Sequence, residues 1–433
     1  MEKNIIFLNL ITKIIMFKFI HTADIHLDSP LKTLALRDSQ IAELVGGATR
    51  RSFEKIIDLC LTEQVNALII AGDLYDGEQR SMKTAAFLVE QMRRLEGAGI
   101  RVFMIRGNHD SESRITQHLE FPKNVRIFTG NGGVEELRDL GVAIHGVSYA
   151  ERHAPESLLC KYKSPIQGLI NIGILHTSLT GAKNHDNYSP CSLSDLIGHG
   201  FNYWALGHIH QRRVYSDTFP CIVMPGIPQG RDIGEEGPKS VTIVEISDKH
   251  MQIDERFVAD TEFQRVQVDL SNAREWQQAL ELLRSDLGSR QKYVKASNLI
   301  CRITLVGCSP LYWRLYRDFD LFEAQVKQIM QEFDGLFLDD IKIDMEELAS
   351  TADSMDPTIE LGGYMKDVMM NDAFRAKAFS FFEKAVRQLP QNLRNDYGVD
   401  KAGQEDVIQR LIAEGITNVI ASLKGSGTES EVI

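Results

Sequence analysis

Cysteine is sparse in this chain. Six cysteines, at positions 60, 160, 191, 221, 301 and 308, are scattered over 433 residues, and no two form a C-x-x-C pair. That spacing excludes a zinc knuckle and indicates no disulfide framework. It fits the reduced thiols of a cytoplasmic protein. Long apolar runs are missing too. The stretch from Asn4 to Ile15 is mostly apolar, but Asn9, Thr12 and Lys13 interrupt it. A membrane span needs about 20 apolar residues, so no membrane segment is expected there. A secretory signal would want a basic start, a cleaner apolar run and a small-residue cleavage site. Glu2 and the lack of an A-x-A pattern argue against one, and Met16 is the expected natural start, with residues 1–15 an extension.

An excess of positive charge is the third absence. The formal net charge is −12, so the chain as a whole is not a basic nucleic-acid binder. Up to residue 260 there are 28 Lys and Arg against 32 Asp and Glu, and beyond it 20 against 28. The acid excess therefore sits in the C-terminal part. Any grip on a polyanion has to be local or made with a partner's help.

The bulk composition, 43% hydrophobic and 25% charged, is that of an ordinary globular protein. Its length exceeds one core and predicts two or three domains. Early in the chain, short β-rich runs alternate with amphipathic stretches. Phe17–Ile20, Asn66–Ala71 and Arg101–Ile105 read as strands. Phe53, Ile56, Ile57 and Cys60 fall at helical spacing within residues 49–64, as do Met82, Ala85, Ala86, Val89 and Met92. Val142–Val147, Leu169–Leu175, Tyr203–Leu206, Ile222–Met224 and Val241–Ile246 supply further strands. This order fits an α/β layered domain over residues 16–260. Residues 261–350 read as strand, helix, strand, helix, strand. Residues 351–433 read as helical, clearest over Met369–Leu389 and Glu405–Leu423.

Five of the apolar runs end at polar clusters able to bind metal. Phe17–Ile20 leads to Asp24 and His26, Asn66–Ala71 to Asp73 and Asp76, and Arg101–Ile105 to Asn108, His109 and Asp110. Leu169–Leu175 ends at His176, and Tyr203–Leu206 leads to His208 and His210. Ligands gather where the strands of α/β sheets finish, so strands sharing one sheet direction would bring all five clusters to one crevice. Carboxylate, imidazole and amide oxygen, with no thiolate among them, suit hard-to-borderline divalent ions. In D-x-H and H-x-H the period of two puts both side chains on one side of an extended segment. One such element alone is commonly structural; all five in this order, each at a strand end, indicate two-metal chemistry.

These residues resemble the calcineurin-like metallophosphoesterase superfamily over roughly 17–246. The motifs are His21-Thr-Ala-Asp24-Ile-His26, Gly72-Asp73-Leu-Tyr-Asp76, Gly107-Asn-His-Asp110, His176-Thr-Ser and Tyr203-Trp-Ala-Leu-Gly-His-Ile-His210. The resemblance extends to the DNA-repair exonuclease branch, with its SbcD nuclease subunits and YhaO-like proteins. The stretch from Pro225-Gly226 to Gly237-Pro238-Lys239 looks YhaO-like. The resemblance implies an αββα sandwich of two sheets, then a small α/β capping module, then a helical partner-docking region.

It further implies two divalent metal ions, Mn²⁺ by family preference. Asp24, His26, Asp73 and His210 would hold one; Asp73, Asn108, His176 and His208 would hold the other, with Asp73 bridging. His109 would protonate the leaving oxygen, and Asp110 would orient His109 or cap a helix. Some members of the branch carry a histidine soon after the Gly-Asp motif, but here Leu74-Tyr75-Asp76-Gly77 follows, so that second histidine is not expected. The implied activity is that of a metal-dependent phosphodiesterase, a DNA exo- or endonuclease subunit. The implied partners are DNA and a coiled-coil ATPase like SbcC or YhaN, with a homodimer left open. A phosphatase or small-molecule phosphodiesterase on the same scaffold is the rival enzyme, and a non-enzymatic scaffold, which has no need of His109, is the other rival.

Secondary candidates are weighed separately. Arg231 reads as a solvated loop arginine or a phosphate contact, and Arg50-Arg51 and Arg212-Arg213 as solvated or DNA-facing pairs. His185 reads as an ordinary core or surface histidine or, following His176 closely, as a cleft residue. Trp204, Cys191 and Cys221 read as core.

Overall fold

Alternation of side chains along short strands decides the layering of the first part of the chain. In the computed structural model, residues 16–29, 39–75, 82–109, 120–151, 155–179, 188–248, 250–348, 357–389, 394, 397–398 and 400–425 are described. In chain order the elements are β1 (Phe17–Thr22), α1 (Ser39–Thr62), β2 (Ala67–Ala71), α2 (Met82–Gly97), β3 (Arg101–Ile105), β4 (Val125–Ile127), β5 (Gly133–Leu137), β6 (Val142–Gly146) and β7 (Ile170–His176). There follow α3 (Leu193–Gly198), β8 (Tyr203–Gly207), β9 (Arg213–Ser216), β10 (Cys221–Met224), β11 (Ser240–Ile246), β12 (Met251–Phe257) and β13 (Thr261–Asp269). The last are α4 (Trp276–Gln291), β14 (Asn298–Ser309), α5 (Tyr312–Arg317), α6 (Phe319–Met330), β15 (Leu336–Glu347), α7 (Pro357–Met370), α8 (Asp372–Gln388) and α9 (Lys401–Gly425).

Two compact units result. One runs to Gln264 and takes in Tyr293–Ile300; the other comprises Arg265–Lys292 and the chain from Cys301. The first holds two six-stranded sheets, ordered β12-β11-β1-β2-β3-β4 and β5-β6-β7-β8-β10-β9. Strands β1, β2, β3 and β4 run parallel, with β11 antiparallel to β1. In the second sheet β6, β7, β8 and β10 run parallel, with β5 and β9 antiparallel at the edges.

Alternate residues face alternate layers. Phe17, Phe19, Ile69, Phe103 and Ile105 meet Val142, Ile144, Ile172, Ile174, Tyr203 and Val223 in the core between the sheets. The opposite faces of β2 and β3, with Leu68, Ile70, Val102 and Met104, pack on Phe53, Ile56 and Ile57 of α1 and Leu88, Met92 and Leu95 of α2. The outer face of the second sheet buries Leu175, Trp204, Leu206 and Met224 against Leu196 of α3. The expected αββα layering is therefore present. Helix α1 begins at Ser39, ten residues before the stretch that periodicity marks.

The second unit carries the three-stranded sheet β13-β14-β15. Arg302 of β14 pairs with Asp339 of β15 at 2.6 Å. Helices α4 and α6 each bury one apolar stripe, Ala279, Leu280, Leu283 and Leu287 on one and Phe322, Val326, Ile329 and Met330 on the other. The helical stretch read as starting at Met369 is broken. Asn371 ends α7, and its Oδ1 accepts the Ala373 and Phe374 N–H groups at 2.9 and 3.2 Å, capping α8. Helix α9 packs on α5 and α7. No helix among the described residues is long and apolar enough to cross a membrane. The reading of residues 1–15 lies outside the described residues.

Candidate metal centre

Each of the five polar clusters sits at the C-terminal end of a strand. Asp24 and His26 follow β1, Asp73 follows β2, and Asn108 and His109 follow β3; His176 closes β7, and His208 and His210 follow β8. The strands divide three and two between the sheets, so no single sheet gathers the clusters. The parallel ends of the two sheets open onto the same crevice. Hydrogen bonds cross between the sheets there. The His208 N–H donates to both Asp24 carboxylate oxygens at 3.1 and 2.9 Å. His176 uses Nδ1 on the Ala71 carbonyl oxygen at 2.9 Å and Nε2 on Asn108 Oδ1 at 3.0 Å.

The backbone at these positions is unusual. Asp24, His26, Asp73 and His208 have φ of 51°, 45°, 50° and 102°. Side chains other than glycine rarely occupy this left-handed region, at a cost of roughly 1–3 kcal/mol each. The period-two argument for D-x-H and H-x-H therefore fails, because neither segment is extended. His208 and His210 in fact serve different groups. After β1, β2 and β8 the chain leaves the strand by a tight left-handed kink at the functional residue. Close approach explains the glycines. A Cβ on Gly72 (φ 93°) would lie 2.5 Å from His176 Nδ1, and one on Gly107 would overlap the Asp73 carboxylate.

Two clusters of metal-capable atoms result, Asp24 with His26 and His210, and Asp73 with His176 and His208. Within each, the candidate atoms lie within 4.8 Å of one another. His26 Nε2 and His210 Nε2 face each other at 3.3 Å. Asp73 Oδ2 is 3.4 Å from His176 Nε2 and 4.0 Å from His26 Nε2, so this carboxylate reaches toward both clusters. Its Oδ1 accepts the His109 backbone N–H at 3.0 Å. The half-buried His109 ring stands edge-on to the His26 ring, centroids 5.1 Å apart.

The model for calcineurin-like phosphoesterases matches residues 17–212, and that for the middle domain of the metallophosphoesterase YhaO matches residues 263–346. The metallophosphoesterase YhaO of Bacillus subtilis is 30% identical over 395 residues, 86% of this chain and 95% of that protein. The chain belongs to the calcineurin-like metallophosphoesterases. The DNA double-strand break repair protein Mre11 of Sulfurisphaera tokodaii is 27% identical over 49% of this chain and 54% of its own length. The SbcD component of the nuclease SbcCD of Staphylococcus epidermidis is 26% identical over 47% and 59%. This metallophosphoesterase thus spans little more than half the length of those two nuclease relatives.

The family's dimetal centres fit the donors present. Imidazole and carboxylate with an adjacent amide oxygen, and no thiolate, form a hard-to-borderline set, and Asp24, His26, Asp73, Asn108 and His176 are buried. Burial raises the pKa of Asp24 against the pull of nearby histidines. At Asp73 burial works the same way, but His176, His26 and His109 outweigh it and hold the carboxyl below the usual carboxylate range. Burial disfavours charge on His176, yet the Asp73 carboxylate raises it to about 9. Asp73 and His176 thus each favour the charged form of the other.

In the basic pairs of this metallophosphoesterase, Arg50, Arg51 and Arg212 form ion pairs. Arg50 grips Asp28 through Nε and Nη2 at 2.6 and 2.5 Å, and Arg51 pairs with Asp260 at 2.7 Å. Arg212 reaches Thr242 and Glu255, and Arg213 lies over the Tyr215 ring. Arg231 is only partly exposed, and its guanidinium is engaged within the protein. It holds Glu235, whose Oε1 accepts from His210 Nδ1 at 2.8 Å. Sequence reading missed Glu235, whose only local signal is its i,i+4 spacing from Arg231. Trp204, Cys191 and Cys221 are core, as expected. The readings for Asp76, Asp110 and His185 lie outside the described residues.

Proposed function

We propose that this metallophosphoesterase is a two-metal phosphodiesterase acting on DNA, with Mn²⁺ as its working ion. The observation that carries the proposal is the gathering of seven ligand-type side chains from two sheets beside a histidine no ligand role requires. Asp24, His26 and His210 would hold one ion, and Asn108, His176 and His208 the other, with Asp73 between them. Bound there, the ions supply Lewis acidity for the phosphate oxygens and a nucleophile at neutral pH. The protein's own part is geometric and protonic. The cross-sheet hydrogen bonds fix the ligand side chains before substrate arrives. His109, anchored through its backbone to Asp73, donates a proton to the leaving oxygen. Residues 16–260 would carry the chemistry, residues 261–350 would cap the site, and residues 351–433 would dock an ATPase partner of the SbcC or YhaN kind. Similarity to the Mre11 and SbcD proteins supports DNA as substrate and repair as setting.

His109→Ala tests the chemistry. The variant should keep both ions and lose hydrolysis of duplex or hairpin DNA by about 10²–10⁴-fold. It should regain most of its rate on a chromogenic phosphodiester whose leaving phenolate needs no proton. Equal losses on both substrates would remove the proton-donor role. Mn²⁺-dependent cleavage that survived both His109→Ala and Asp73→Ala would overturn the assignment. Faster turnover of small phosphodiesters or cyclic nucleotides than of any DNA would favour the rival enzyme.

A further inference from the structure

Resting on the two-metal reading of this site, we propose that Glu235, clamped by Arg231, is the positioning residue for His210 and sets the affinity of one of the two metal positions. A carboxylate only accepts, so the 2.8 Å contact from His210 Nδ1 to Glu235 Oε1 places the ring proton on Nδ1. Nε2 then keeps its lone pair and points at His26 Nε2, 3.3 Å away. A second hydrogen-bonded carboxylate is the common way of fixing a ligating imidazole, and its loss weakens metal binding about 10–100-fold.

Glu235 is itself held fast. Arg231 donates to Oε1 through Nη2 at 2.6 Å and to Oε2 through Nε at 3.1 Å and its backbone N–H at 2.9 Å. Asp232 Oδ1 accepts the Gly234 N–H at 2.7 Å and starts the short helical turn Ile233–Glu235. The loop carrying this turn grips the His210 segment a second time. The Ile227 N–H donates to the His210 carbonyl oxygen at 3.0 Å. Gly226 permits that approach, since a Cβ there would lie 2.7 Å from the same oxygen. The loop is anchored beyond as well. Ser52 Oγ donates to the Pro228 carbonyl, and the buried Gln229 side chain bonds to Gly230, Asp260 and Thr261. His210 is thus located from its main chain and from its ring by one rigid loop, whereas His176, in the other cluster, rests on the Ala71 carbonyl. The effect of Glu235 is accordingly specific to one position.

The test is titration of the full-length, EDTA-stripped protein with Mn²⁺, with free ion read by electron paramagnetic resonance. Wild type should take up two ions. Glu235→Ala should keep one at wild-type affinity and bind the other about 10–100-fold more weakly. Glu235→Gln retains an acceptor for Nδ1–H and should fall between. The melting temperature of the metal-free protein should change little in Glu235→Gln, while the Mn²⁺-induced rise shrinks. Unchanged binding of both ions in Glu235→Ala and Glu235→Gln would overturn the proposal, as would equal weakening of both positions. Uptake of fewer than two ions by wild type would instead overturn the two-metal reading beneath it.

Discussion

Single residues in this protein carry charge logic that is visible apart from the metals. His21 precedes the first ligand by three positions and is wholly buried, its Nδ1 3.0 Å from the Tyr203 hydroxyl and its Nε2 3.0 Å from the Leu206 carbonyl oxygen. Burial, with little offset from that carbonyl, lowers its pKa to about 3. The unfolded chain takes up a proton there below about 6.5, the folded chain only near 3. His21 therefore supports folding fully above pH 6.5, and that support fades as pH falls toward 3. Each pH unit in that window costs up to about 1.4 kcal/mol. In urea melts of the metal-free protein, His21→Phe should flatten the fall in stability between pH 6.5 and 4.5 by about one proton. An unchanged slope would exclude His21 as the source. The sequence alone could not find Glu235. A ligand is betrayed by its motif, but its support arrives from a loop 25 residues later and only the folded chain brings the two together.

At the scale of elements, strand identity was legible because buried parallel strands read as short apolar runs of fixed length. The edge strands β4, β5, β9 and β12 carry no such run; in β12 only Met251 and Ile253 pack on the core, and their pairing comes from neighbours. The left-handed kinks after β1, β2 and β8 were equally hidden: Asp and His adopt positive φ more often than most residues, but still only in a small minority of cases, so Asp24, His26, Asp73 and His208 do not announce it by themselves. One packing detail makes the point testable. Gly173 in β7 faces Trp204 in β8, and a Cβ there would overlap the indole and lie 2.8 Å from Phe201 Cδ2. Trp204 in turn donates Nε1–H to the Leu196 carbonyl at 3.0 Å. Gly173→Val should push the indole off this bond and destabilise the first unit by about 1–3 kcal/mol. A lowered urea midpoint with unchanged slope, and a shifted tryptophan emission, would register it. Because β7 ends at His176 and β8 leads to His208, Mn²⁺ affinity at that cluster should fall too. A variant as stable as wild type would show that the sheet accommodates the methyls by sliding.

For the molecule as a whole, the proposed substrate would set an acidic polymer against an acidic chain. The excess of acid lies beyond residue 260, and in the first unit Arg50, Arg51 and Arg231 are committed to Asp28, Asp260 and Glu235. A partner that brings its own basic surface resolves the conflict. The second unit offers a place for one. Tyr364 and Val368 lie four residues apart on α7, 60% and 51% exposed, with Met370 at 69% and Phe381 of α8 at 64%. Residues so spaced share one helix face, and large apolar side chains left open to water mark interaction surfaces. Tyr364→Glu combined with Val368→Glu should therefore abolish co-purification with the coiled-coil ATPase and lower DNA cleavage in its presence. Turnover of a small phosphodiester by the isolated subunit should stay at the wild-type rate, since the metal-ligand clusters belong to the first unit and these two residues to the second. Retained co-purification would remove α7 as the docking element. Loss of small-substrate turnover as well would mean that the second unit supports the chemistry itself, and the division of labour proposed for the two parts of the chain would have to be abandoned.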